Sequence, residues 1–282
     1  ADIFSANGIK VYLFEDLRPT PEMSFAIRKL GCQSGIILTA SHNPKEYNGY
    51  KAYWDDGAQM IAPHDKKTIA EVNKIRNASE IKFKGNKELI EIIGQAIDDE
   101  YIKELTTISL SPEAISRHKD MKIVYTPIHG TGVKLVPAAL KAYGFTNIIH
   151  VPEQDVVSGD FPTVISPNPE EPAALAMAVE KAKETDAELV MASDPDADRV
   201  GAAVKNNEGE WVLLNGNQTA LMFVYYLITR WKELGKINGK EYIVKTIVTT
   251  ETLKSIAERS GVEMYDGYTG FKWIANLMRE YE

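Results

Sequence analysis

Three aspartates at alternate positions, Asp194, Asp196 and Asp198, follow the apolar run of residues 189–191. In an extended backbone alternate side chains point to the same side, whereas in a helix they splay apart, so the spacing predicts that the three carboxylates converge. Carboxylate oxygens suit a hard divalent cation such as Mg²⁺. The end of a buried strand is also where open α/β sheets place their ligands. The sequence therefore predicts a divalent metal site at these three residues, the acidic triad.

Calcium-sensor chemistry is excluded at the same segment. An EF-hand loop that began at Asp194 would need glycine at its sixth position and glutamate at its twelfth. Those positions hold Arg199 and Lys205. An ordinary polar loop at the end of a strand is the alternative to the metal site.

A second candidate for chemistry is Ser41, which follows an apolar run at residues 35–38 that predicts a buried strand. The loop after it contains Asn-Pro and Asn-Gly, which are strong turn signals. His42 and Lys51 are close enough in sequence to share this loop. A serine hydroxyl is a weak nucleophile unless a base, a metal or a cationic environment activates it. A capping or turn serine is the alternative interpretation.

Residues 39–44 (Thr-Ala-Ser-His-Asn-Pro) with residues 48–51 (Asn-Gly-Tyr-Lys) resemble the phosphoserine loop of the α-D-phosphohexomutases, which include phosphoglucomutase and phosphomannomutase. Residues 194–199 are similar to the magnesium loop of that family, D-G-D-x-D-R, with Pro195 in place of the usual glycine. Further similarity, in family order, lies at residues 125–132, 166–171 and 268–273. Residues 53–59 resemble the branch that contains the phosphopentomutase-type enzymes.

The resemblance implies a phosphosugar mutase, an intramolecular phosphotransferase of the isomerase class. Ser41 would donate a phosphoryl group to a sugar monophosphate, and the resulting bisphosphate would return its other phosphate, so that phosphate moves between positions 1 and 6 (or 5). It also implies one Mg²⁺ per site and a sugar 1,6-bisphosphate as activator. The residues carried over are Ser41, His42, Lys51 and Arg199 as catalytic groups, Ser41, Asp194, Asp196 and Asp198 as metal ligands, and Thr269, Gly270 and Lys272 as substrate-binding groups.

Several functions stay open on the sequence. Phosphoglucomutase or phosphomannomutase activity is favoured, with a phosphopentomutase-type or an amino-sugar phosphomutase as alternatives. A metal-dependent phosphatase would pass the phosphate to water, and a sugar-phosphate-binding homologue would not turn over at all. The sequence does not identify the preferred sugar phosphate or the oligomeric state.

The resemblance also carries an expectation about completeness. The family has four domains, with a strand and an arginine-bearing loop ahead of the position of Ala1. A sugar-binding loop and a phosphate-binding domain follow the position of Glu282. We therefore expect this chain to be a piece of a longer enzyme, with an incomplete third domain and no mutase activity of its own.

Composition narrows the class of protein. The 282 residues include 44% hydrophobic and 26% charged residues, which are ordinary globular values. Lys and Arg number 32 against 40 Asp and Glu, a net charge of −8, so a nucleic-acid partner is not expected. No apolar stretch is long enough to predict a membrane span. A single cysteine, Cys32, cannot form an internal disulfide, and a cytoplasmic location is predicted.

Strand and helix patterns alternate along the chain, which predicts consecutive layered α/β domains with mixed sheets. Domain one is placed at residues 1–119, domain two at 120–206 and an incomplete domain three at 207–282. Residues 206–209 are either the boundary between domains two and three or a hairpin turn. The predicted strands are 11–14, 35–38, 122–125, 148–151, 188–191, 212–214, 242–248 and 262–265. The predicted helices are 21–30, 171–183, 217–233, 250–260 and one that begins at 271, with a charged helical segment at 78–120.

Overall fold

The computed structural model describes residues 1–281 and shows α/β architecture throughout. The amino-terminal unit (residues 2–93) contains two separate two-stranded sheets, one parallel and one antiparallel. In chain order its elements are α1 (Asp2–Ala6), β1 (Val11–Phe14), α2 (Thr20–Lys29), β2 (Ser34–Leu38), β3 (Tyr50–Trp54), α3 (His64–Val72) and β4 (Ile90–Ile93). Strand β1 pairs with β4 in parallel, and β2 pairs with β3 antiparallel.

Two helices, α4 (Gln95–Thr107) and α5 (Pro112–Arg117), connect this unit to the next. The predicted charged helical segment at 78–120 therefore holds these two helices, and it also contains β4, which the sequence did not reveal. Strand β4 has only four residues, which is too short for a strand pattern to stand out from the charged residues on either side.

The central unit (residues 123–214) is a five-stranded mixed sheet in the order β6-β5-β7-β8-β9. Parallel pairing joins β6, β5 and β7, and antiparallel pairing joins β7, β8 and β9. Its strands are β5 (Ile123–Thr126), β6 (Ile148–His150), β7 (Leu189–Ser193), β8 (Val200–Lys205) and β9 (Trp211–Leu214). Its helices are α6 (Gly132–Tyr143), α7 (Pro152–Asp155) and α8 (Pro172–Thr185).

The main hydrophobic core lies between this sheet and α8. Val124 of β5 and Val190 of β7 are fully buried against Leu175 and Ala178 of α8. Burial of such side chains stabilises a fold by about 1.5–3 kcal/mol each, so this core holds the carboxyl ends of β5 and β7 in place. The acidic triad follows one of those ends.

Residues 206–210 form the turn of a hairpin, since β8 and β9 pair on either side of them. The amide of Asn206 donates to the carbonyl of Glu210 at 2.8 Å, which closes the turn. The hairpin interpretation of residues 206–209 is therefore the right one, and the five-stranded sheet continues to Leu214. The limits of the three domains stay predictions.

The carboxy-terminal unit (residues 216–281) has one parallel strand pair and three helices. Its elements are α9 (Gly216–Glu233), β10 (Tyr242–Thr246), α10 (Thr252–Ser260), β11 (Glu263–Gly267) and α11 (Phe271–Tyr281). No helix within residues 1–281 has both the length and the apolar character that crossing a membrane requires.

Candidate active site

The serine loop, residues 39–49, connects the antiparallel strands β2 and β3. The Thr39 amide donates to the Gly49 carbonyl at 3.1 Å, which closes the base of the loop. A Cβ at position 49 would lie 2.1 Å from the Thr39 oxygen, so this close approach requires glycine. Lys51, two residues later, lies on β3. The Asn48-Gly49 motif therefore sets the distance between the serine and the lysine.

Ser41 adopts a left-handed backbone conformation with φ of 57°. Its amide donates to Thr39 Oγ1 at 2.9 Å. A non-glycine residue in this region costs about 1–3 kcal/mol, and such residues cluster at active sites. The Ser41 hydroxyl donates to Asp194 Oδ2 of the acidic loop at 3.1 Å and lies 3.0 Å from Nδ1 of the neighbouring His42.

The acidic loop, residues 194–199, is a turn and not the extended segment that the alternate spacing suggested. Ala197 has φ of 53°, and its amide donates to the Asp194 carbonyl at 2.9 Å. The amides of Asp198 and Arg199 donate to Asp194 Oδ1 at 3.1 and 3.0 Å. The predicted convergence is nevertheless observed, since one oxygen from each carboxylate of the triad lies within 4.8 Å of the others.

Burial and neighbouring charges shift the pKa of all three carboxyl groups. Burial, followed by repulsion from Asp196 and Asp198, raises the pKa of Asp194 to about 8. Burial and the charge of Asp196 raise the pKa of Asp198. Burial also acts to raise the pKa of Asp196, but the hydrogen bond and charge of Lys51 outweigh it and hold that pKa below its ordinary value. The triad therefore has more negative charge than its protein surroundings neutralise.

The residues of the triad fit a divalent cation. Asp196 Oδ1 is buried and has no hydrogen-bond partner within residues 1–281, while Oδ2 accepts from Lys51 Nζ at 2.9 Å. Burial of an unpartnered carboxylate oxygen is unfavourable. A cation at this oxygen removes that penalty, and all the candidate ligands are oxygens of the kind that hard divalent cations bind.

Of the other predicted catalytic residues, His42 lies beside Ser41, whereas Lys51 and Arg199 lie at the acidic loop. Burial and the nearby charge of Arg199 lower the pKa of His42, which favours its neutral form. The guanidinium of Arg199 is exposed and makes no hydrogen bond or ion pair with any other residue of the range 1–281. Lys51 Nζ lies 2.9 Å from Asp196 Oδ2 and 3.8 Å from Asp198 Oδ2. The Lys51 ammonium therefore pairs with the carboxylates of the triad and not with the Ser41 hydroxyl.

The predicted substrate-binding residues lie elsewhere in the chain. Thr269 and Gly270 form the bend before α11, and Lys272 Nζ lies 5.5 Å above the ring of Trp273. Among the described residues 1–281, no hydrogen bond or ion pair joins any of the three to Ser41 or to the triad. Their role as substrate-binding residues stays a prediction.

Two threonines that hold the acidic loop were not found from the sequence. The Thr20 amide donates to the Asp196 carbonyl at 2.9 Å, and Thr20 Oγ1 donates to Asp196 Oδ2 at 3.3 Å. Thr131 donates its amide and its hydroxyl to the Pro195 carbonyl at 2.8 and 2.9 Å. No local signal in the sequence marks either contact, because each threonine acts on a residue far away in the chain.

Known families match the chain along nearly its whole length. The sequence model described as phosphoglucomutase/phosphomannomutase, alpha/beta/alpha domain I, matches residues 1–79. The models for domain II and domain III match residues 99–209 and 215–282. The chain belongs to the α-D-phosphohexomutase family. The family and the fold class predicted from the sequence are thereby confirmed.

Individual relatives place the chain more closely. Phosphopentomutase of Homo sapiens is 36% identical over 288 residues, which cover 99% of this chain and 47% of that protein. Phosphoglucomutase of Staphylococcus haemolyticus is 36% identical over 283 residues, which cover 99% of this chain and 50% of that protein. The crystal structure of a phosphoglucomutase/phosphomannomutase family protein from Burkholderia thailandensis superposes with a TM-score of 0.73 and 22% identity, over 98% of this chain and 56% of that one. This phosphohexomutase chain thus spans about half the length of the curated relatives it matches.

Proposed function

We propose that this chain carries the phosphoryl-transfer centre of a phosphosugar mutase. The observation that carries the proposal is the hydrogen bond of 3.1 Å from the Ser41 hydroxyl to Asp194 in the acidic triad. It places a candidate nucleophile next to a candidate cation site. Phosphoserine 41 donates its phosphoryl group to a sugar monophosphate, and the bisphosphate that forms returns its other phosphate to Ser41.

The protein residues supply positioning and charge. Phosphoryl transfer asks a protein mainly for these two contributions. His42, whose lowered pKa favours the neutral imidazole, lies 3.0 Å from Ser41 Oγ, so it can take the hydroxyl proton as the serine becomes phosphorylated. Lys51 is assigned proton handling at the sugar oxygen, with Asp196 holding its ammonium. Arg199 offers a forked, permanent positive charge to phosphate oxygens.

Asp194, Asp196, Asp198 and phosphorylated Ser41 would hold one Mg²⁺, which would supply Lewis-acid stabilisation of the transferring group. The unpartnered Asp196 Oδ1 and the excess charge of the triad support this assignment. A sugar 1,6-bisphosphate is the proposed activator, because it can load Ser41 with phosphate.

The substrate is proposed as a hexose 1- or 6-phosphate, in a phosphoglucomutase or phosphomannomutase reaction. Thr269, Gly270 and Lys272 are the proposed sugar-side contacts. A pentose phosphate is the second candidate, because a phosphopentomutase and a phosphoglucomutase are equally similar to the chain, at 36% identity. An amino-sugar phosphate is a third.

Phosphate uptake tests the proposal directly. The purified chain is incubated with Mg²⁺ and glucose 1,6-bisphosphate, and intact mass is measured, with Ser41→Ala as the control. We expect one added phosphate on Ser41 and none on the variant. Release of that phosphate to water faster than to glucose 6-phosphate would identify a phosphatase. No uptake by the unmodified chain would favour a non-catalytic homologue and contradict the proposal.

A further inference from the structure

Thr20 makes two contacts to a single residue of the acidic loop. It begins α2, and both its amide and its hydroxyl donate to Asp196, to the carbonyl at 2.9 Å and to Oδ2 at 3.3 Å. The two residues are 176 positions apart in sequence, and both are buried. The contact joins the amino-terminal unit to the central unit at the carboxylate that lies at the middle of the triad.

The hydrogen bonds of Asp196 are divided unequally between its two carboxylate oxygens. Oδ2 accepts from Lys51 at 2.9 Å and from Thr20, whereas Oδ1 is buried without a partner among residues 1–281. The two donors to Oδ2 come from different elements, Thr20 from the start of α2 and Lys51 from β3, so Oδ2 is held from the protein side. They leave Oδ1 as the oxygen that is free to bind a cation.

Thr20 is held by a buried ion pair two residues earlier in the chain. Arg18 is 7% exposed and forms a forked pair with Asp98, with Nε at 2.7 Å and Nη2 at 3.0 Å from its oxygens. Lys134 of α6 donates to the same carboxylate at 2.9 Å. Such bidentate pairs fix geometry as well as supplying energy. The segment that leads into Thr20 is therefore anchored by protein groups alone, without a cation.

We propose that Thr20 is a positioning residue for the metal ligand Asp196: its hydroxyl, together with Lys51, orients the carboxylate so that Oδ1 faces the cation. The inference rests on the proposed function only in taking the triad as a cation site. Residues that hydrogen-bond to metal ligands typically change metal affinity by about 10–100-fold when they are removed. A hydroxyl at 3.3 Å belongs at the lower end of this range.

Thr131 provides a matched control. Thr131 also binds the acidic loop through its amide and its hydroxyl, but both donate to the Pro195 carbonyl. Within residues 1–281 it makes no hydrogen bond to a carboxylate of the triad. Replacement of either threonine by valine removes one hydroxyl, keeps the side-chain shape and keeps the backbone hydrogen bond. The two changes therefore differ only in whether a metal ligand loses a donor.

The experiment measures Mn²⁺ affinity by calorimetry and electron paramagnetic resonance for the unmodified chain, Thr20→Val, Thr20→Ser and Thr131→Val. All four are brought to the same Ser41 phosphorylation state, checked by intact mass, and their thermal unfolding without metal is recorded. We expect Thr20→Val to bind Mn²⁺ about 10-fold more weakly and Thr20→Ser within about 3-fold of the unmodified chain, because the serine keeps the donor. Thr131→Val should keep the unmodified affinity even if it unfolds at a lower temperature.

Equal affinity for Thr20→Val and the unmodified chain would overturn the inference, and so would an equal loss in Thr131→Val. If Thr20→Val does not fold, Thr20→Ala is compared with Thr20→Ser by the same criteria. An unmodified chain that does not bind Mn²⁺ contradicts the metal site itself and removes the basis of the inference. If the unmodified chain binds Mn²⁺ and the Thr20 variants bind it equally well, the inference about Thr20 is wrong but the metal site still stands.

Discussion

The ammonium group of Lys51 lies 2.9 Å from Asp196 Oδ2, so the strand that leaves the serine loop supplies the nearest positive charge to the acidic triad. The pair is largely withdrawn from water, with 22% of the Lys51 side chain and 3% of the Asp196 side chain exposed. One lysine neutralises part of the charge of three carboxylates. The rest is available to attract a cation.

Removal of this lysine should destabilise the chain in a way that a cation reverses. Lys51→Met leaves Asp196 buried without its ion-pair partner, and we expect a loss of about 1–3 kcal/mol, below the value for a fully buried pair. Excess Mg²⁺ should restore most of it, because a bound cation replaces the missing charge. Thermal unfolding with Mg²⁺ and with EDTA measures both effects. Lys45→Met, which breaks an exposed pair of 3.6 Å with Asp160, is the control and should change little.

Replacement of Asp194 should separate stability from cation binding. Asp194→Asn removes a charge that is unfavourable in the folded chain, as its pKa of about 8 indicates. We expect the variant to unfold at a higher temperature than the unmodified chain in EDTA at pH 8.5. It should also lose the rise in unfolding temperature that Mg²⁺ gives the unmodified chain. A Mg²⁺-dependent rise that survives the substitution would show that Asp194 is not a ligand.

Glu22 should make stability fall with rising pH. It is fully buried, and burial and the neighbouring Asp98 raise its pKa to about 8. Because the folded pKa lies above the unfolded value of about 4.3, the stabilisation is complete below pH 4 and is lost progressively towards pH 8. The pKa of Asp98 is about 2, so its titration changes the free energy of unfolding only at pH values below this range.

We therefore expect the free energy of unfolding to decline between pH 5.5 and pH 8.5 less steeply in Glu22→Gln than in the unmodified chain. Urea unfolding at both pH values measures the difference. Glu15→Gln, which alters an exposed partner of Arg18, should keep the unmodified slope. Parallel pH profiles for Glu22→Gln and the unmodified chain would contradict the assignment of a protonated Glu22.

Gly49→Ala should disrupt the serine loop. The new Cβ would lie 2.1 Å from the Thr39 carbonyl, and a backbone atom cannot move aside cheaply. We expect a stability loss of about 1–3 kcal/mol, as for other overpacked sites, and strongly reduced phosphate uptake by Ser41. Gly159→Ala is the control, since a Cβ there meets nothing within 4 Å. Normal phosphate uptake by Gly49→Ala would show that closure of the loop is not needed.

The 282-residue chain alone should not interconvert hexose phosphates at the rate of its relatives. It spans about half their length, and the sugar phosphate at the non-reacting end needs cationic and amide donors of its own. Loss of such remote binding lowers turnover as well as affinity. The assay compares glucose 1-phosphate conversion by this chain and by Staphylococcus haemolyticus phosphoglucomutase, each with glucose 1,6-bisphosphate. Comparable rates would contradict the expectation.

Much of the candidate site could be predicted from the types and spacing of its residues. Ser41 and the acidic triad are contiguous motifs whose chemistry depends on local spacing, and the structure brings them together. The eight predicted strands are all present, with ends that differ by at most two residues. Contacts between segments that are distant in the chain could not be predicted, because no local sequence pattern marks them. Thr20 acts on a residue 176 positions away, and only the fold shows the pairing.

The elements that were missed have weak local patterns. Strand β8 contains Gly201, Ala202 and Ala203, which have low strand propensity but fit a crowded sheet. Helix α6 contains Pro137, which argues against a helix in a sequence although it is tolerated here. Alternate aspartates in a sequence do not distinguish an extended segment from a turn. The prediction of an extended acidic loop was therefore wrong, although its three carboxylates do converge.

Several contacts cross from the amino-terminal unit to the acidic loop: Ser41 binds Asp194, Lys51 pairs with Asp196 and Asp198, and Thr20 donates to Asp196. All of these contacts require the amino-terminal unit to lie against the acidic loop. A cation bound to the triad should therefore stabilise the association of the two units. By reciprocity, anything that holds the two units together should strengthen cation binding by the same factor.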